Sequence, residues 1–198
     1  MMSDNTGGLY YGSALVIFLE SNGTVNSVNK IGMSTGGFTI VFDSNPNWAD
    51  TTGIGDINED GIGDVGIGYS LEDTAGNNAG CVHIVFLDAD GSVKSHHKIT
   101  DGYGGLTAEL DSPANFGQSV QPAWDVNGDL TPDMLVGASG MDTSSGALYL
   151  LFLNTSGLVV SHFKISRISG DFTAGILDGD MFGNSCSLCG DLNGMYAS

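Results

Sequence analysis

The fold of this chain is decided by the stretch Asp56-Ile57-Asn58-Glu59-Asp60-Gly61-Ile62-Gly63-Asp64. Oxygen-bearing side chains fall at positions 1, 3, 5 and 9 of this loop, and position 7 offers its backbone carbonyl. Gly61 permits the positive φ of a sharp turn, and the carboxylates would repel one another without a cation between them. Because Ca²⁺ takes about six to eight oxygen ligands, the spacing predicts a calcium loop. Its expected ligands are Asp56, Asn58, Asp60, Ile62 and Asp64.

The same spacing recurs 69 residues later in Asp125-Val126-Asn127-Gly128-Asp129-Leu130-Thr131-Pro132-Asp133. One such loop could be an ordinary acidic surface turn, but its recurrence indicates a second calcium site. Leu130 stands where the first loop has a glycine, so weaker binding is expected here. The expected ligands are Asp125, Asn127, Asp129, Thr131 and Asp133.

A third copy of the loop begins at Asp191 and Asn193. Met195 stands where the next acidic residue is due, so this copy is expected to be incomplete. The sequence therefore predicts Ca²⁺ as the cofactor, bound at two sites.

An EF-hand uses the same opening positions, but it needs a Glu at position 12 and a helix on each side. Position 12 is Ile67 in the first loop and Val136 in the second. Apolar residues alternate after each loop, which is the periodicity of a strand. The loops are therefore predicted to connect two strands, with Asp64 and Asp133 at the start of the second strand.

The composition is typical of an acidic, all-β protein. The 198 residues include 5 Lys and Arg against 23 Asp and Glu, a net charge of −18, which makes nucleic acid a poor partner. With 31 Gly and only 4 Pro, the chain favours short strands joined by tight turns. No stretch approaches the roughly 20 apolar residues that span a membrane.

Three segments of the chain align with one another as hairpins. Each has a nearly continuous apolar strand (12–19, 80–87 or 146–153), a glycine turn and a second strand that ends in Lys-Ile. Both faces of the apolar strands are expected to be buried. With the strands on either side of each loop, four antiparallel strands recur every 66 to 69 residues. This repeat predicts the blades of a β-propeller.

Further short elements accompany the loops. Phe116-Gly117 precedes the second loop, Phe182-Gly183 precedes the third, and Val136-Gly137-Ala138-Ser139 follows the second. These elements resemble the FG-GAP repeat of integrin α-subunits and related surface proteins, over just under three repeat periods. The resemblance implies a seven-bladed propeller with cations in the outer loops of some blades. The first repeat departs from the pattern at Trp48-Ala49 and at Gly68-Tyr69-Ser70.

The repeat divides the chain into parts of a propeller. Residues 1–46 are expected to end one blade, 47–114 and 115–180 to form one blade each with a calcium loop, and 181–198 to begin a further blade. About three blade-equivalents cannot close a ring. We therefore expect a fragment, whose partners include the remaining blades of a longer polypeptide.

No catalytic residue is predicted, and the protein is expected not to be an enzyme. Cys186 and Cys189 form a CxxC, but they occupy the repeat positions of Val120 and Ala123. Core filling is therefore favoured, with a local disulfide left open. The four histidines are scattered, and no serine lies in a nucleophile elbow.

Calcium loops on a propeller predict a non-catalytic module for adhesion or for recognition of a protein or glycan ligand. The alternatives are the propeller portion of a carbohydrate-active enzyme or lectin, and a purely structural repeat. An extracellular or cell-surface location is expected, although the first residues show no signal peptide. Asn22 and Asn154 begin glycosylation sequons at hairpin tips, which is typical of a glycoprotein.

Overall fold

A computed structural model describes residues 12–32, 35–39, 50–111 and 113–189. Within these residues the regular structure consists of strands and one short turn at Met141–Ser144, in which three residues have positive φ. The described residues form no helix with the length and apolar character needed to cross a membrane. The predicted all-β class is confirmed. The strands are β1 (Ser13–Leu19), β2 (Val25–Gly32), β3 (Asp50–Gly55), β4 (Asp64–Tyr69), β5 (Cys81–Leu87), β6 (Val93–Ile99), β7 (Phe116–Trp124), β8 (Asp133–Ala138), β9 (Ala147–Leu153) and β10 (Val159–Ser166).

Two four-stranded antiparallel sheets form the body of the described chain. One has the order β3-β4-β5-β6 and the other has the order β7-β8-β9-β10, so strands that follow one another in sequence are also neighbours in space. The strands β1 and β2 form a separate antiparallel pair. This four-strand repeat is consistent with propeller-like blades.

The three predicted hairpins are present as β1–β2, β5–β6 and β9–β10. Their turns contain Gly23, Gly91 and Gly157, with φ of 85°, 78° and 72°. Each of these glycines donates its N–H to the carbonyl three residues earlier, at 2.8 to 2.9 Å. The turns therefore need a residue without Cβ, which explains the glycine in all three repeats.

The strand β5 lies between two hydrophobic cores, and all of its residues are buried. Ile84 and Phe86 belong to the core shared with β7–β10. Val85 and Leu87 belong to the core against which Val16 of β1 packs. Each such side chain contributes about 1.5–3 kcal/mol when it is fully buried. The expectation of burial on both faces is confirmed for this strand.

By contrast, β1 and β9 each have one open face within the described chain, in line with the expectation that about three blade-equivalents do not close a ring. Alternate residues of β9 stay partly accessible, and Leu15, Ile17 and Leu19 of β1 are exposed. The reason is that one described sheet packs against each of these strands, whereas β5 lies between two. A second buried face requires a second neighbouring sheet.

The Phe-Gly elements contact the glycines that follow the preceding loops. The ring of Phe116 is fully buried. A Cβ on Gly68 would lie 2.0 Å from the carbonyl oxygen of Gly117, and one on Gly137 would lie 1.9 Å from that of Gly183. The two backbones therefore touch, and Gly68 fills this role although the residues after it depart from the repeat pattern. The other departure, Trp48-Ala49, lies outside the described residues.

Candidate metal centres

Both predicted loops join the first strand of a sheet to the second. The first loop starts at Asp56, directly after β3, and ends at Asp64, the first residue of β4. The second starts at Asp125, after β7, and ends at Asp133, the first residue of β8. The predicted strand–loop–strand arrangement is confirmed, and neither loop has the flanking helices of an EF-hand.

The side chains at positions 1, 3 and 5 of the first loop accept hydrogen bonds from the loop's own backbone. The carboxylate of Asp56 accepts the N–H of Asp60 at 3.1 Å and that of Gly61 at 2.8 Å. Asn58 Oδ1 also accepts the N–H of Asp60, at 3.0 Å. Asp60 Oδ1 accepts the N–H of Ile62 at 3.0 Å. The loop therefore winds around its own oxygen atoms.

The second loop repeats these hydrogen bonds position for position. The carboxylate of Asp125 accepts the N–H of Asp129 at 3.0 Å and that of Leu130 at 2.8 Å. Asn127 Oδ1 accepts the N–H of Asp129 at 3.0 Å, and Asp129 Oδ1 accepts the N–H of Thr131 at 2.9 Å. The loops differ at positions 2, 4, 6, 7 and 8. The spacing of the oxygen-bearing residues therefore determines their shared geometry.

The acid at position 9 is buried in both loops, since Asp64 is 1% exposed and Asp133 is 0% exposed. Asp64 accepts the N–H of Ile57 at 3.0 Å and that of Leu87 at 3.2 Å. Asp133 makes the corresponding bonds at 2.9 and 3.2 Å. Burial raises the pKa of each carboxyl to about 6, with a smaller contribution from the neighbouring acids. A nearby cation would stabilise the ionised form of both.

Positions 4 and 6 of each loop have a left-handed backbone. Glu59 and Gly61 have φ of 59° and 85° in the first loop, and Gly128 and Leu130 have φ of 80° and 72° in the second. The predicted positive φ of Gly61 is confirmed. A residue with a Cβ costs roughly 1–2 kcal/mol in this region. Each loop has one glycine and one strained residue at these two positions. The glycine at position 6 therefore does not by itself predict which loop has the higher calcium affinity.

The donors in each loop are all oxygen atoms: three carboxylates, one amide and the carbonyl at position 7, from Ile62 or Thr131. These are the ligands that Ca²⁺ prefers, so the residues fit this cation by their chemistry. A carboxylate oxygen that accepts one N–H keeps a further lone pair for a metal. Within the described ranges, however, no three His, Cys, Asp or Glu side chains converge closely enough to hold a metal as they stand.

Sequence reasoning missed Lys94, near the start of β6. Its Nζ lies 2.9 Å from Asp60 Oδ2, in the first loop. This pair lowers the pKa of Asp60 and raises the pKa of Lys94. The aligned repeats differ at this position, because Val160 stands in the next repeat where the first repeat has Lys94. This replacement of an apolar residue by a basic one was the available signal. Only the register of the hairpin shows that this position faces the loop.

The remaining candidates add no metal centre within the described part of the chain. Asp191 and Asn193 lie outside the described residues. Cys186 and Cys189 are unbridged thiols, of which Cys186 is half-buried with its Sγ 3.2 Å from Ser119 Oγ. The expectation of core filling is wrong for Cys189, which is exposed because no described sheet covers this end of the chain.

The fold and the loops define a class: all-β proteins with four-stranded antiparallel, propeller-like sheets and repeated acidic loops. No protein-family model matches the chain. The chain is similar to integrin alpha-V from Gallus gallus, with 28% identity over 152 residues. This similarity covers 71% of the chain, which spans 14% of the length of that curated relative. This similarity supports the resemblance to integrin α-subunits that the Phe-Gly elements and the Gly137-Ala138-Ser139 element indicate.

Proposed function

We propose that this chain is part of an extracellular, calcium-binding β-propeller that recognises a protein or glycan ligand, as in adhesion, and has no catalytic role. The observation that carries the proposal is the hydrogen-bond pattern that the two loops share despite their different sequences. The four-stranded sheets and the similarity to integrin alpha-V support the propeller. Its full ring has about seven blades, with the remaining blades supplied by a longer polypeptide.

Each loop would bind one Ca²⁺ and would be stiffened by it. The cation would neutralise the buried acid at position 9, which is also bonded to the end of the third strand of its sheet. Calcium would therefore strengthen the connection between the loop and the sheet. The proposed ligands are Asp56, Asn58, Asp60, Ile62 and Asp64 in the first loop, and Asp125, Asn127, Asp129, Thr131 and Asp133 in the second.

A cleft beside the second loop supports ligand recognition. It has a volume of about 450 Å³, and its lining includes Pro122, Trp124, Leu130 and Pro132. Trp124 is 69% exposed and Leu130 is 82% exposed. An exposed indole can stack on a sugar ring or pack against an apolar side chain of a protein. Because Leu130 belongs to the loop, calcium there would also fix one wall of the cleft.

Thermal unfolding tests the calcium part of this proposal. Calcium in millimolar excess should raise the melting temperature, and a chelator should reverse the rise, because a ligand that binds only the folded state stabilises it. A melting temperature that changes neither with calcium nor with the chelator would contradict the proposal that the loops bind calcium.

Binding to a glycan array and to immobilised extracellular-matrix proteins tests recognition. Trp124→Ala should weaken the binding, whereas Phe163→Ala, at another exposed aromatic side chain, should not. Turnover of a polysaccharide by the wild-type chain would favour the carbohydrate-active enzyme instead.

A further inference from the structure

The first calcium loop is contacted by a basic side chain from another strand. Lys94 Nζ donates a hydrogen bond to Asp60 Oδ2 at 2.9 Å. Asp60 is the position-5 ligand proposed above, and its other oxygen accepts the N–H of Ile62. About half of the Lys94 side chain is exposed. The ammonium group can therefore exchange Asp60 for water without disturbing a core.

The second loop has no basic side chain in this place. In both hairpins, the last leucine of the third strand pairs with a valine of the fourth strand. The residue after that valine is Lys94 in the first sheet and Val160 in the second, where it is 57% exposed. Asp129, which corresponds to Asp60, is bonded to the N–H of Thr131 and to Asn127 Nδ2 instead. The two loops thus share their oxygen positions and differ in one positive charge.

Positive charge is scarce in this chain, which has 5 basic residues against 23 acidic ones. Three of the other basic side chains pair with acids that belong to neither loop. These pairs are Lys98 with Glu72, Lys164 with Asp142, and Arg167 with Asp178. The ion pair of Lys94 differs from these three, because its partner, Asp60, is a proposed calcium ligand.

We propose that Lys94 is a built-in competitor of Ca²⁺ at the first loop and lowers the calcium affinity of that loop. This inference rests on the proposed calcium function of the loops. Without metal, the ammonium group offsets the repulsion among the carboxylates. A divalent cation must either displace it from Asp60 or bind beside its positive charge. The two loops therefore fill over different ranges of calcium concentration, although their oxygen spacing is the same.

The competition has an electrostatic signature. The charge of a half-exposed lysine is screened by salt, with a Debye length of about 8 Å at physiological ionic strength. The effect of Lys94 on the calcium affinity should therefore shrink as the salt concentration rises. A merely structural effect of the side chain would not change with salt in this way.

Calcium titration of metal-free protein tests the inference at the first loop. The titration uses an Asp129→Asn background, which silences the second loop. Lys94→Met should increase the calcium affinity by about two- to fivefold at low salt, the size expected for a partly exposed ion pair. Lys94→Arg keeps the charge and should stay close to the parent. Circular dichroism verifies that each variant is folded.

The reciprocal variant provides a matched control at the second loop. In an Asp60→Asn background, Val160→Lys should decrease the calcium affinity of the second loop by a similar factor. If calcium binds but Lys94→Met leaves the affinity unchanged at low salt, the inference is wrong and the proposed function stands. If neither the parent chain nor any variant binds calcium, both are wrong.

Discussion

Asp64 accepts a hydrogen bond from the backbone N–H of Leu87 at 3.2 Å, although the two residues are 23 positions apart. The other oxygen of this carboxylate accepts the N–H of Ile57 inside the loop. One buried side chain therefore joins the first loop to the end of β5. Asp133 and Leu153 repeat this relationship in the second sheet.

Asp64→Ala should destabilise the chain even without calcium. The substitution leaves two buried N–H groups without their acceptor, and each such loss costs about 1–3 kcal/mol. Urea unfolding in the presence of a chelator measures this cost. The control is Asp60→Ala, which removes a more accessible carboxylate and should cost much less without metal. Equal stability of the two metal-free variants would show that the hydrogen bonds of Asp64 are unimportant.

The metal-free protein should depend on pH through Asp64 and Asp133. Their pKa of about 6 in the folded chain is above the unfolded value of about 4, so the folded state binds these protons more tightly. The stability gained in this way is present below about pH 4 and is lost as the pH rises through about 6.

Comparison with Asp64→Asn isolates the contribution of one carboxyl. Relative to this variant, the wild type should lose about 1 kcal/mol of unfolding free energy between pH 5 and pH 7 without calcium. Calcium binds the ionised form, so its stabilising effect on the wild type should grow over the same interval. Denaturant unfolding at the two pH values measures both changes. A flat difference would mean that Asp64 titrates normally.

Gly137→Ala should destabilise the contact between β8 and the segment that contains Gly183. The added Cβ would lie 1.9 Å from a backbone oxygen, so the backbones must separate, at a cost of about 1–3 kcal/mol or more. Gly53→Ala in β3 is the matched control, because its Cβ would meet nothing within 4 Å. Thermal unfolding of both variants checks the prediction, which fails if the two substitutions cost the same.

The sequence predicted the features that depend on local spacing. The loop at Asp56, the hairpin turn at Gly91 and the four strands of each repeat follow from residue order and periodicity. The contact between Gly68 and Gly117 did not follow, because it depends on the approach of two sheets. Lys94 was missed for a similar reason, since hairpin register and not sequence distance brings it to Asp60. The open faces of β1 and β9 depend on which neighbouring sheets are present.

Calorimetric titration of the metal-free chain with Ca²⁺ tests the central claim most directly. The wild type should bind two equivalents, since each loop supplies a complete set of oxygen ligands. Asp60→Asn and Asp129→Asn should each leave one equivalent, and the double variant should leave none. Absence of binding heat in the wild type at all temperatures tested, together with an unchanged melting temperature, would contradict the claim that these loops are calcium sites.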